Sequence, residues 1–302
     1  MKPIVKQARR RRAFTIIELL TVMSIIVILI GLMVPALNKV RRYARDVQQK
    51  AQFNAINAAV ELFSNEFDGY PPSTALDGNN QPYCGSMKLC EALMGQDLLG
   101  FHSNSIFRRD GMDATATQSL YPPNIDTIPA VLRDNNLKAR KGPFIQAENA
   151  NAWRMQDIYG TNVGTFLGTT FVLCDVYARP MKNGQKTGMP LLYYKADTAN
   201  SYHDPNIASS MSATNSQGNI YNYYDNQTLI QLGKPWQAAG ASGVSATHQL
   251  ADPQRFYKNT RSEQVRTTMR PFRSDTFILI SAGWDGEYGT ADDICNFEWK
   301  YK

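Results

Sequence analysis

Hydrophobic and polar positions follow different rules in successive parts of the chain. From Leu19 to Leu37 nineteen consecutive residues carry no charge, and most are Ile, Leu, Val or Met. At about 1.5 Å of rise per residue, this run approaches the length a helix needs to cross a hydrocarbon core of roughly 30 Å. Glu18 stands alone at its start, and Arg9, Arg10, Arg11 and Arg12 form an unbroken basic block just upstream, a pattern that holds this end in the cytoplasm. Beyond Pro35 the apolar residues take up helical spacing at Val40, Tyr43, Ala44, Val47, Ala51, Ala55, Ala58, Ala59 and Leu62. Arg41, Arg42, Arg45, Asp46, Gln48, Gln49 and Lys50 fall on the opposite side. Pro35 removes a backbone hydrogen bond, so a bend is expected where the helix leaves lipid, with Gly31 loosening the turn before it. The helix should stop near Asp68-Gly69, ahead of Pro71-Pro72. The prediction is one helix of about fifty residues, apolar all round at first and amphipathic afterwards.

The pattern then shortens. Leu89, Ala92, Leu93 and Leu99 predict a second helix over 86–99, closed by Gly100. Residues 101–152 are irregular, broken by Pro122, Pro123, Pro129, Gly142 and Pro143. Strands are predicted over 169–177, 190–196 and 275–281, where β-branched and aromatic residues sit between turn-formers. Residues 197–245 are rich in Ser, Asn, Gln, Gly and Ala and predict an exposed loop, anchored by Tyr221, Tyr223 and Tyr224. No internal repeat is visible at solenoid or propeller periods.

A secretory signal peptide places its small-residue cleavage site after the apolar core. Here the small residue, Ala13, precedes the core and is followed by Phe-Thr-x-x-Glu. Over Arg9–Pro72 the sequence resembles the class III signal of type IV pilins and type II secretion pseudopilins. The resemblance implies that a membrane aspartyl peptidase, the prepilin peptidase, cuts between Ala13 and Phe14 and methylates the new amino group. The family usually has Gly before the cut, where this chain has the comparably small Ala13. Glu18 then becomes the fifth mature residue, and the resemblance gives it an assembly role, neutralising the amino terminus of a neighbouring subunit. A carboxylate at the edge of a spanning helix is costly unless paired, and such a charge-assisted pair gains strength in low dielectric.

The implied architecture is α+β and pilin-like, a long helix packed on an antiparallel sheet. Its parts are a leader over 1–13, a transmembrane and assembly segment over 14–37, an amphipathic continuation over 38–69 and an extracytoplasmic domain over 70–302. That domain carries an insertion at about 100–270. The implied function is structural: a subunit of a type II secretion pseudopilus or a type IV pilus, held in the inner membrane by a single pass. Its implied partners are prepilin peptidase, other pilin or pseudopilin subunits and a secretion or pilus assembly platform. A second reading makes the chain a surface binding module whose insertion recognises a substrate, glycan or DNA, with Tyr221 and Trp236 as contact residues.

Composition changes this picture in three places. The net charge of +6 invites a nucleic-acid reading, but the leader holds Lys2, Lys6 and Arg9–Arg12 and no acid, so the processed chain is formally neutral. Among the four cysteines, Cys84 and Cys90 are separated by five residues and offer a local bridge, which would leave Cys174 and Cys295 to pair. Four cysteines allow three connectivities, and buried free thiols are an equal alternative. Finally, Asp285, Glu287, Asp292 and Asp293 fall within nine residues, with Gly286 and Gly289 permitting tight turns. Ca²⁺ takes six to eight oxygens, and an acidic Gly-rich loop can wrap one, although the spacing is not that of an EF-hand. The stretch resembles the calcium-binding C-terminal loop of the major type II secretion pseudopilin, which implies Asp285, Asp292 and Asp293 as ligands. The bland alternative is a solvated acidic turn.

Catalytic motifs are absent: there is no GxSxG, HExxH, P-loop or dinucleotide fingerprint. His102, His203 and His248 are scattered, and there is no CxxC to suggest zinc. Trp153, Trp236, Trp284 and Trp299 are more commonly core or interface residues than ligand-binding ones. No enzyme is expected.

Overall fold

The first element continues as helix through Gly31 and Pro35. In a computed structural model, which describes residues 15–181, 184–237, 247–263 and 269–298, the long helix runs Ile16–Phe67. It ends close to the predicted stop, but the residue in the left-handed conformation is Asp68 (φ 59°). The Gly69 amide then returns to the Ser64 carbonyl at 3.2 Å. The chain divides into two compact units between Ala44 and Arg45. In the first, every described side chain from Thr15 to Ala44 is exposed.

In the second unit the helix buries Gln49, Gln52, Phe53, Ile56, Ala59, Val60 and Phe63. This is not the predicted face. Val47 and Leu62 are about half exposed, at 50% and 55%, whereas two glutamines are buried. The reason lies in the turn Cys174–Tyr177, whose Val176 amide and carbonyl and Cys174 carbonyl are bonded by side chains of the helix. Gln49 Oε1 accepts from the Val176 amide (3.0 Å), and Gln52 Nε2 donates to the Cys174 carbonyl (2.9 Å). Arg45 Nη1 donates to the Val176 carbonyl (2.7 Å), and the Tyr177 hydroxyl donates to Asp46 Oδ1 (2.6 Å). Four polar side chains of one helix face thus serve one turn.

The predicted strands form, in shortened versions. Leu192–Lys195, Phe277–Ser281 and Ile294–Cys295 make an antiparallel sheet with Phe277–Ser281 in the middle. Leu192 lies opposite Ile280, Lys195 opposite Phe277, and Ser281 opposite Ile294. Phe171–Leu173 pairs with Ala152–Arg154, and the Leu191 amide donates to the Leu173 carbonyl (2.7 Å), joining this hairpin to the sheet.

Alternation along these strands sends their side chains into two cores. Leu191, Tyr193, Phe277 and Leu279 pack with Phe53, Ile56, Val60 and Phe63 of the long helix. Leu192, Tyr194, Ile278 and Ile280 pack on the other side, against Tyr221, Tyr223, Leu229, Ile230, Phe256 and Tyr257 of the insertion. The second helix runs Gly85–Met94, wholly buried, and stops at Gly95 (φ 81°), short of the predicted end.

The segment expected to be an exposed loop is instead built into the structure. It contains 3-10 turns at Pro205–Ser210 and Tyr223–Asn226 and a short helix at Gln227–Gln231, and it supplies much of the second core. A further helix, Pro253–Thr260, was not predicted. Asp252 caps it by accepting from the Gln254 amide (3.0 Å), and Pro253 stands at its first position.

Candidate functional site

Two regions carry chemistry that the sequence singles out: the start of the long helix and the acidic C-terminal loop. Ala13 and Phe14 lie outside the described residues. At Thr15 the first helical turn is closed by a reciprocal cap. The Thr15 amide and hydroxyl donate to Glu18 Oε2 at 2.9 and 2.7 Å, and the Glu18 amide donates back to Thr15 Oγ1 at 3.3 Å. This is a Thr-x-x-Glu capping box, which satisfies amides that a helix start otherwise leaves without partners. Both residues are exposed. The local signal for this cap is the pattern Thr15-Ile16-Ile17-Glu18. Beyond it, one helix among the described residues is long and apolar enough to cross a membrane.

The C-terminal loop follows the central strand Phe277–Ser281. Its aspartates are turned mostly toward the loop's own groups. Asp293 Oδ2 accepts from the Gly289 amide (2.7 Å), and its burial pushes the carboxyl well above the ordinary range. Asp292 Oδ2 accepts from the Asp285 amide (3.0 Å) and its Oδ1 from the Thr290 hydroxyl (2.8 Å). Asp285 Oδ1 accepts from the Glu287 amide (2.7 Å). The loop's backbone carbonyls have a partner the sequence did not suggest. Arg179 donates from Nη1 to Asp285 O (2.5 Å), and from Nη2 to Trp284 O (3.0 Å) and Gly283 O (3.2 Å). Lys234 pairs with Glu287 at 2.5 Å.

Calcium requires several oxygens converging on one point. Among the described residues no three His, Cys, Asp or Glu side chains converge so as to hold a metal ion. The misfit to a calcium cage lies at the carbonyls, three of which face the Arg179 guanidinium, while the Asp285 and Asp292 carboxylates lie against each other and share Thr290 with Asp293. Arg179 lies about a hundred residues upstream in an otherwise unremarkable stretch, so no local pattern pointed to it.

The Cys84–Cys90 bridge is not formed, and all four cysteines are free thiols. Cys84 caps the helix Gly85–Met94 and Cys90 sits inside it, about 9 Å further along the axis at 1.5 Å per residue. That exceeds the roughly 7 Å limit for a bridgeable pair of Cα atoms. The two residues also belong to different cores, Cys84 to the insertion side and Cys90 to the long-helix side. Burial pushes the Cys84 thiol up to about 11, which keeps it unreactive.

His102, His203 and His248 are buried at separate places in the domain. Burial lowers both His203 and His248 to about 3, so each is neutral and structural. Tyr221 is fully buried and its hydroxyl donates to the Arg273 carbonyl (2.5 Å), so it presents nothing to an external ligand. Trp236 lies against the Arg179 guanidinium, with 4.5 Å from its carbon to the ring centre. Trp153 is half-buried and donates to Asn151 Oδ1 (2.8 Å), Trp284 is 47% exposed, and Trp299 is outside the described residues.

A family model, the prokaryotic N-terminal methylation motif, matches residues 8–34. No curated protein and no solved structure matches the chain. The match spans the basic block, Ala13, Phe14, Glu18 and most of the uncharged run. The chain therefore carries a signal of the type IV pilin and pseudopilin type, on a mixed α+β body with a long N-terminal helix.

Proposed function

We propose that this chain is a structural pilin-like subunit, cut between Ala13 and Phe14, methylated at Phe14 and assembled through its N-terminal helix into a pseudopilus or pilus. The observation that carries this reading is the methylation motif at residues 8–34 joined to an apolar run whose described side chains are exposed. Ile25, Ile28 and Leu29 are each more than half exposed. In water such a surface is unfavourable by about 25 cal/mol for each Å² of apolar area, so it belongs in lipid or against other helices.

Membrane residence before assembly follows, with the body on the extracytoplasmic side opposite the Arg9–Arg12 block. The helix also keeps Val47 and Leu62 exposed on the face turned away from the sheet, an apolar surface suited to neighbouring subunits. Glu18 is the residue we assign to subunit pairing. Its carboxylate is exposed and held by the Thr15 cap, so an arriving ammonium would find it preoriented. We assign the filament to the pseudopilus branch, because the strand, acidic loop and terminal strand close the sheet in the order of that branch. The buried position of Tyr221 weighs against the binding-module reading.

The test is assembly of Glu18→Ala in a host with an active prepilin peptidase. Processed subunits that stay in the membrane and fail to appear in a sheared filament fraction support the proposal. Assembly equal to wild type would reduce the helix to an anchor.

A further inference from the structure

The insertion supplies cations that meet the C-terminal loop, among them Arg255, whose Nη1 donates to the Gly289 carbonyl at 3.4 Å. Arg179 and Lys234 come from within it, as do Trp236, His248 and Leu250, which pack around the loop. Three consecutive carbonyls, of Gly283, Trp284 and Asp285, converge on the Arg179 guanidinium at 3.2, 3.0 and 2.5 Å. Carbonyls converging beside carboxylates are the arrangement that a hard divalent cation otherwise organises. The loop is moulded to the guanidinium itself. Gly286 stands at φ 72°, and a Cβ there would overlap the guanidinium and lie 2.7 Å from the Trp236 ring. Trp236 covers the guanidinium at 4.5 Å, and Asp175, Asp285 and Asp292 lie within electrostatic reach of it. Lys234 neutralises Glu287 at 2.5 Å, removing a further carboxylate from any shared ligand set.

We infer that the guanidinium of Arg179 is the resident cation of this loop, standing where a divalent ion would otherwise close it, so that the loop's order does not depend on calcium. A guanidinium is permanently charged, planar and rich in donors, and its rigid fork meets the three carbonyls from two nitrogens at once. It is covalently part of the chain, so neither chelator nor calcium supply changes its occupancy. The insertion thereby acquires a role, as the built-in counter-ion of the sheet's closing turn.

The test uses the full-length chain in detergent micelles, melted in excess calcium chloride and, separately, in chelator. The wild-type midpoint should be the same in both. Arg179→Ala should lower it in both, and Arg179→Lys should recover only part of the loss. A wild-type midpoint that rises with calcium and falls with chelator overturns the inference, as does an Arg179→Ala variant that melts like wild type. Should Arg179→Ala not fold, hydrogen exchange on wild type and Arg179→Lys decides the matter. Amides of residues 283–295 should exchange at equal rates with and without calcium, and about tenfold faster in Arg179→Lys, the effect of one lost charged hydrogen bond. Calcium-dependent protection in wild type contradicts the inference. None of these readouts involves filament assembly, so they stand or fall apart from the subunit proposal.

Discussion

The two halves of the long helix invert the usual relation between hydrophobicity and burial. Residues 16–37 are almost entirely apolar, and every one is exposed. Residues 45–67 are mixed, and seven of them are buried, two of which are glutamines. The side chains of the first half are exposed within their own unit, as an apolar surface that lipid or another subunit would cover. The second half has a partner, and polar side chains do much of the docking, because the turn Cys174–Tyr177 presents backbone groups that need hydrogen bonds. Apolar character alone therefore says that a surface must be covered, not by what.

Truncation separates the halves most sharply. Phe63 packs against Phe67, Phe101, Phe107 and Phe144 with ring centres 4.7 to 6.4 Å apart. Phe63→Ala should cost about 3–5 kcal/mol of unfolding free energy, read by denaturant titration in detergent. Ile28→Ala in the first half should leave that curve unchanged and weaken membrane or filament retention instead. Equal loss of stability from both variants would break the comparison.

A pH effect should belong to the second region alone. Asp225 and Asp175 are buried, and burial raises each from 3.8 to about 7. Asp225 accepts from the Ser73 hydroxyl and Asp175 from the Ser281 hydroxyl (3.1 Å). Below 3.8 both carboxyls are protonated whether the chain is folded or not. Between 3.8 and about 7 the unfolded chain releases protons that the folded chain keeps, so stability falls as pH rises through this window. The loss approaches an order of 4 kcal/mol per group, and Asp225→Asn should flatten its share of the slope in melts recorded across pH. A slope unchanged by the substitution contradicts the assignment.

Smaller effects test the polar docking and the cap. Gln49→Ala leaves the Val176 amide without its side-chain partner and should cost about 1–3 kcal/mol, read by the same denaturant titration. If it costs nothing, the docking is apolar after all. Thr15→Val should remove about 1 kcal/mol of helix-start stability, seen as faster amide exchange over residues 16–19 with the domain melt unmoved. Exchange unchanged in that segment would show that the cap does not hold the first turn.

How much could be read in advance follows from the range of the interactions. The apolar run, the helix stop at Asp68 and the strands around Val172, Tyr193 and Leu279 rest on local periodicity, and all were legible. The buried face of the helix was not, because Gln49 and Gln52 count as polar until the distant turn at Cys174–Tyr177 is known. The insertion reads as loop because its anchors, among them Tyr221, Tyr223 and Phe256, sit singly among small polar residues and gain their meaning only against the sheet. The acidic loop was visible as a cluster, but its cation is a side chain about a hundred residues away. Thr15 and Glu18 form a cap four residues long, a local pattern that the sequence alone carries.

On the reading proposed above, the exposed half of the helix is the assembly face of a processed, filament-forming subunit. Intact mass and N-terminal sequencing of the protein recovered from its native membranes test this most directly. The expected result is a chain that begins at a methylated Phe14. A chain that still begins at Met1 with Arg9–Arg12 in place would contradict it and leave the helix as an ordinary anchor.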